Sequence, residues 1–289
     1  MQLNESLEQF REQGLEITGI SYDSVAIVRH FSERAGIQFP LLADPDASNI
    51  LAFGVVNTTV SPERRNYGIP FPGIYIIDEN GILREKYFER NYRERFTARS
   101  ILARDFGIYV GPKTELETGG QHIPIKIYTS DPVAQPGNRI SLVVEFDLPP
   151  KMHLYAPGVE GYTPLSLSIE PESRIRIHDP EYPEPEILYL PAIEERVPVY
   201  RGTVRVIREV TLTADYTEEW VAKGVLTISS RLDPDDPGPY FALSAGTKLE
   251  IKGTLAYQAC DDKVCYLPEQ LPLKFQIEME AQDEERVPR

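Results

Sequence analysis

Gly73-Ile-Tyr-Ile-Ile-Asp-Glu-Asn-Gly81, running on into Ile82–Phe88, decides how the first third of this chain folds. An apolar run, an Asn-Gly pair and a second run read as two antiparallel strands joined by a tight turn. Upstream the period changes. Leu3, Leu7 and Phe10 recur at helical spacing up to Gly14, and Leu15–Ser21 alternates as a strand. Asp23 or Ser24 can cap a helix through Val25, Val28 and Phe31 that ends near Gly36. Phe39–Asp44 reads as a short strand and Asp46–Phe53 as a short helix, and a last helix is expected from Arg93 to Phe106. Strands alternating with helices, then a hairpin and a terminal helix, define an α/β layered domain over residues 1–110.

Further along the chain the helical period disappears. Residues 107–122 lose periodicity, and 111–122 read as a linker. Strand-like alternation then recurs at His122–Tyr128, Arg139–Leu148, Leu165–Ile169, Thr203–Leu212, Val225–Ser230, Lys248–Tyr257 and Leu271–Met279. Proline-rich turns separate these runs, among them Asp147–Pro150, Tyr182–Pro185 and Asp233–Pro239, and only five of the 25 prolines precede position 110. Short strands at regular spacing predict an all-β, immunoglobulin-like antiparallel sandwich over 123–281, followed by a charged tail at 282–289. The Cys-Trp-Cys spacing of true immunoglobulin domains is missing, because the lone Trp220 lies 40 residues before Cys260.

Charge excludes some functions. The net charge of −15 is unevenly spread, −3 over residues 1–110 and −12 over 111–289. A phosphate-binding face needs a basic stripe, so nucleic acid is not an expected partner, and an anionic membrane surface is equally disfavoured. No run approaches the ~18–20 apolar residues of a membrane span. The start Met1-Gln2-Leu3-Asn4-Glu5 has neither the basic region nor the apolar core of a secretory signal, so the chain as written is expected to be soluble and cytoplasmic.

Both cysteines fall in one window, Tyr257-Gln-Ala-Cys-Asp-Asp-Lys-Val-Cys-Tyr-Leu-Pro268. Four residues between Cys260 and Cys265 permit bridging if the segment turns. Asp261 and Asp262 oppose thiolate formation and Lys263 offsets part of that, which suits a disulfide attacked by a stronger thiolate. Three states stay open at this point: a redox-active pair, an inert bridge pinning a hairpin, and two free thiols. Two cysteines supply half a zinc ligand set, and His153 and His178 lack motif spacing, so no metal is expected. Glu194-Glu195 and Asp233–Asp236 lack calcium-loop spacing, and no cofactor is expected. His30 reads as a solvated or capping helix residue, and the clustered tyrosines (Tyr155, Tyr162, Tyr182, Tyr189, Tyr200) as packing and loop surface.

Two resemblances add to this reading. Ile20–Ser24, Phe39–Pro45, Ala52–Val55 and Pro72–Gly81 resemble the peroxiredoxin (AhpC/TSA, redoxin) branch of the thioredoxin-like fold over about the first 110 residues. That family's nucleophilic cysteine would precede the stretch matching residues 1–14, so the resemblance implies an N-terminally truncated domain, inactive as a peroxidase in this chain. Pro72 occupies the place of the family's arginine and matches instead the cis-proline of thioredoxin-like proteins, the alternative being a trans turn proline. The cysteine window, the turn Pro136-Gly-Asn138 and Met152-His-Leu-Tyr155 resemble the N-terminal periplasmic domain of the thiol–disulfide reductase DsbD over residues 123–281. That likeness implies Cys260 and Cys265 as a pair shuttling between disulfide and dithiol with a thioredoxin-like partner, and an extracytoplasmic setting. It also implies an aromatic cap, for which Tyr200 is the candidate, with Tyr155 as an aromatic neighbour; the residues flanking the pair in sequence, Tyr257, Tyr266 and Pro268, are expected to shelter it. A non-catalytic scaffold with a structural disulfide is the competing expectation. Because residues 1–259 contain no cysteine, a protein of this sequence is expected to reduce hydrogen peroxide no faster than its Cys260→Ser/Cys265→Ser variant; thiol-dependent turnover surviving in the double variant would refute this.

Overall fold

The structure, a computed structural model, describes residues 2–58, 60–64, 67–89, 94–109, 113–115, 123–172, 174–190, 194–212, 226–229, 240–243 and 246–280. Arg93, Trp220, His122, the Asp233–Pro239 turn, the tail at 282–289 and most of the 111–122 stretch lie outside the described residues. The chain divides into two compact units, which meet in sequence between Ile108 and Tyr109.

The first unit runs α1 (Gln2–Glu5), α2 (Leu7–Glu12), β1 (Gly19–Ser21), α3 (Val25–Ala35), β2 (Leu41–Ala43), α4 (Ser48–Ala52), β3 (Gly73–Ile77), β4 (Leu83–Phe88), β5 (Arg95–Phe96) and α5 (Ala98–Phe106). Ser24 caps α3 by accepting from the Ile27 amide, and Gly36 ends it in the left-handed region. β1 and β2 pair in parallel, β3 and β4 as the expected hairpin. The terminal helix starts later than expected, because the Thr97 hydroxyl accepts from the Ser100 amide and caps it there, leaving Arg95–Phe96 extended. Phe10, Tyr87, Ala98, Ile101 and Leu102 form the core of this unit.

The bond before Pro72 corrects an expectation. Every peptide bond among the described residues is trans. Val56 bridges to Pro70 and the Phe71 amide donates to the Val55 carbonyl at 2.9 Å, so the chain enters Pro72 extended, where trans is favoured by ~0.5–1 kcal/mol.

The second unit is strands throughout: β6 (Thr114–Glu115), β7 (Ile125–Thr129), β8 (Val133–Ala134), β9 (Asn138–Asp147), β10 (His153–Tyr155), β11 (Ser166–Ile169), β12 (Ile175–Glu181), β13 (Glu186–Leu190), β14 (Glu195–Tyr200), β15 (Thr203–Leu212), β16 (Leu226–Ser229), β17 (Tyr240–Leu243), β18 (Lys248–Tyr257), β19 (Ala259–Cys260) and β20 (Glu269–Met279). Thr114–Glu115, expected within the linker, pairs instead with β7. One sheet has the order β12-β15-β9-β7-β6, a second β11-β18-β20-β8 and a third β13-β14-β10-β19. The inward residues of the first two sheets share one core, with Leu142, Val144, Phe146, Val206 and Val210 on one side and Ile251, Leu255, Tyr257, Phe275 and Ile277 on the other. Gly253 is small because β11 passes close: a Cβ there would stand 2.6 Å from the Ser168 carbonyl oxygen. No described helix is long and apolar enough to cross a membrane.

On the other face of β9, the nearly buried Glu145 accepts from Arg205 Nε at 2.8 Å, Tyr128 Oη at 2.8 Å and Lys113 Nζ at 3.1 Å. Burial alone would raise its pKa; the three donors outweigh that and bring it down from 4.5 to about 2. A carboxyl whose folded pKa is depressed contributes stability that is present above its unfolded value and is lost as pH falls toward the folded one. Glu145→Gln is therefore expected to cost about 1–3 kcal/mol at neutral pH. The gap to wild type should close as pH drops from 4.5 toward about 2 in denaturant titrations, and a pH-independent gap would refute the assignment.

Candidate redox site

The third sheet builds the site. In β10, β14 and β19, successive side chains alternate between two clusters, as the pleat requires. Leu154, Tyr200 and Ala259 point into the main core. Tyr155, Val197, Val199 and Cys260 form a separate buried cluster on the opposite face, with Val159, Tyr162 and Leu188 packed against it. Register sets this division: Tyr155 lies opposite Val199, and His153 opposite Cys260.

Cys260 and Cys265 form a disulfide with Cα atoms 4.0 Å apart. The intervening turn is tied by Asp261, whose carboxylate accepts from the Lys263 and Val264 amides, both at 2.7 Å, and from the Tyr266 hydroxyl at 3.1 Å. The backbone donors hold its pKa below the usual carboxylate range. Asp262 is paired with Lys151 at 3.0 Å. The negative charge expected to oppose a thiolate is thus engaged within the turn and by Lys151. The two sulfurs are in unequal surroundings: Cys260 is 1% exposed, whereas Cys265 lies on the exposed side of the turn, between Val264 (53%) and Leu267 (86%).

Tyr155 reaches both sulfurs. Its hydroxyl lies 3.3 Å from Cys260 Sγ and 3.6 Å from Cys265 Sγ, and because disulfide sulfurs carry no hydrogen, the tyrosine is the donor. Burial, reinforced by Tyr162, pushes its pKa up to about 12, so the donor proton stays in place at physiological pH. Tyr162 stacks on this ring at 4.1 Å.

Three expected roles are corrected. Tyr200 faces the main core, so it does not cap the pair. Tyr257 also packs into that core, edge-on to Phe146, so it does not shelter the sulfurs. Pro72 belongs to the first unit, which contains no cysteine. Shelter comes instead from Tyr162 and Val159 on the loop after β10 and from Val197 and Val199 on β14. Tyr162 was legible only as one of several clustered tyrosines. Among the described residues, no three His, Cys, Asp or Glu side chains gather as metal ligands.

The site is thus a disulfide between a buried and an exposed cysteine, set in a strand-rich unit. Residues 126–276, just over half of the chain, match the family described as "Thiol:disulfide interchange protein DsbD, N-terminal", and the chain belongs to that family. Residues 1–86 match the AhpC/TSA family, and this N-terminal region is thioredoxin-like. Two Mycobacterium tuberculosis proteins that carry the name peroxiredoxin, from two strains, are each 32% identical over 81 residues, which cover 27% of this chain and 48% of theirs. The chain therefore spans about half the length of these relatives. Among solved structures, the reduced DsbD N-terminal domain of Neisseria meningitidis aligns at 15% identity and TM-score 0.27, covering 49% of this chain and 78% of that one. The N-terminal periplasmic domain of ScsB from Proteus mirabilis aligns at 12% identity and TM-score 0.34, covering 57% and 49%.

The geometry gives two substitutions of opposite sign. Tyr155→Phe keeps the stacked ring but removes the donor to sulfur, and is expected to slow disulfide reduction by glutathione about tenfold. Tyr162→Ala uncovers the cluster and is expected to speed it. Thiol counting over time checks both, and rate changes of the same sign would refute the assigned roles.

Proposed function

We propose that residues 123–281 form an immunoglobulin-like thiol–disulfide exchange module, in which the Cys260–Cys265 disulfide accepts electrons from, and returns them to, a thioredoxin-like partner. The observation that carries this reading is the unequal exposure of the two cysteines. A partner thiolate attacks Cys265 Sγ, the Cys260–Cys265 bond breaks, and the electron pair goes to Cys260 Sγ, leaving a mixed disulfide at Cys265. A second partner thiol then releases Cys265 and completes the two-electron transfer. The Tyr155 hydroxyl, 3.3 Å from Cys260 Sγ, donates to the charge that develops there. Val264 and Leu267 flank the open sulfur with apolar surface against which a partner's rim can seat. Family membership and the AhpC/TSA match at the other end of the chain support a redox role. In this reading the redoxin unit contributes no thiol of its own, because residues 1–259 hold no cysteine.

The competing reading, a scaffold with a structural bridge, draws on the short ring that pins the 260–265 turn. A redox titration with mass-spectrometric thiol counting separates the two. Exchange predicts a midpoint in the glutathione-to-thioredoxin range, roughly −200 to −270 mV, and acceleration by reduced thioredoxin. A midpoint far below about −300 mV without acceleration would establish the structural bridge. In addition, Cys260→Ser is expected to trap thioredoxin-like proteins as a mixed disulfide through Cys265, and Cys265→Ser to trap none.

A further inference from the structure

His153 is a buried base without a side-chain hydrogen-bond partner among the described residues. It is 2% exposed, and neither Nδ1 nor Nε2 makes a well-formed hydrogen bond, with only the Lys151 backbone bearing weakly on the ring. His178, by contrast, shares a hydrogen bond with Thr211 Oγ1 at 2.8 Å. Buried polar groups normally find well-formed partners, and a ring so weakly held calls for an explanation. The register supplies one. His153 stands directly opposite Cys260 across the β10–β19 ladder, and its ring lies edge-on to Tyr155, the residue already on both sulfurs. Directly opposed residues of antiparallel strands project from the same face with Cβ atoms about 4.5–5.5 Å apart. Once the disulfide opens, rotation about the Cys260 side chain can bring its sulfur to the ring.

We propose that His153 is the proton acceptor for the Cys260 thiol when the reduced pair hands its electrons to a partner disulfide. The inference rests on the exchange function proposed above. Cys265, the open thiol, attacks first as its thiolate, forming a mixed disulfide and releasing the partner's first sulfur. Cys260 must then attack Cys265 Sγ, but burial raises a thiol's pKa and keeps it protonated. The Cys260 proton passes to a ring nitrogen of neutral His153, and the resulting thiolate attacks Cys265 Sγ. The bond between Cys265 and the partner breaks, and its electron pair leaves on the partner's sulfur. The Cys260–Cys265 disulfide closes, and the imidazolium returns its proton to solvent. The dithiol has lost two electrons and the partner disulfide has gained them.

The surroundings keep the ring ready for this. Burial and the Arg201 charge lower its pKa, which leaves the base neutral at rest. The Lys151 backbone, Asp261 and Glu186 act in the opposite direction and favour the charged form the ring takes on after transfer.

The test uses the whole chain, reduced and freed of reductant, mixed with an aromatic disulfide whose thiolate product is coloured. The first release reports attack by Cys265, the second closure by Cys260. His153→Phe replaces a ring with a ring and removes both ring nitrogens; His153→Gln keeps hydrogen-bonding capacity but cannot hold the proton. Both are expected to leave the first release within about twofold of wild type, to slow the second at least about tenfold, and to abolish its inflection below neutral pH. A second release with wild-type rate and pH profile in both variants would overturn the role of His153 while leaving the exchange function standing. Absence of the first release in wild type would overturn both. The wild-type imidazole ring-proton NMR resonance reads the same coupling without a variant: its titration is expected to differ between disulfide and dithiol states, and identical curves would refute the proposal.

Discussion

Three residues of β10 hold the site together. His153, Leu154 and Tyr155 pair on one side with Cys260 and Ala259 and on the other with Tyr200 and Val199. Leu154 anchors the strand in the main core, completely buried, while the residues on either side of it are forced by the pleat onto the opposite face. A slip of one residue would send Tyr155 into the core and present Leu154 to the sulfur. The position of the disulfide among its neighbours is thus set by how one leucine packs.

The same constraint explains why the two cysteines differ. Cys260 ends β19 and shares its alternation, so its sulfur is carried into the buried cluster of Tyr155, Val197 and Val199. Cys265 follows a turn whose conformation Asp261 sets through two backbone amides and Tyr266, and that turn brings it back opposite Cys260 as an exposed residue. One sulfur is held by packing and the other by a polar turn. In the proposed exchange, attack comes at Cys265 and the charge it releases falls on Cys260, beside the Tyr155 hydroxyl.

The N-terminal unit packs its own core around Phe10, Tyr87, Ile101 and Leu102 with ordinary caps at Ser24, Gly36 and Thr97. Its residues 1–86 match the AhpC/TSA family, and residues 1–259 hold no cysteine.

Much of this was legible locally. The Asn-Gly hairpin, the Ser24 cap and the long strands β9, β15, β18 and β20 are written in periods of two and 3.6, which depend only on near neighbours along the chain. The cysteine pair and Tyr155 were also readable, from spacing and from resemblance. The strands β12, β13 and β14 were not, because the stretch is dense in proline and Tyr182–Pro185 reads as a turn; Pro180 sits at a register shift, and Pro198 gives its carbonyl to the Ala156 amide, so neither breaks its strand. Tyr155 and Tyr200 look alike in sequence, both at the end of a strand beside apolar neighbours. Only the register of β10 against β14 puts one on the sulfur and the other in the core, and only that of β10 against β19 sets His153 beside Cys260. Residue types and periods are local properties of the chain, whereas the face a side chain shares, and with whom, is decided by hydrogen bonds between strands more than forty residues apart.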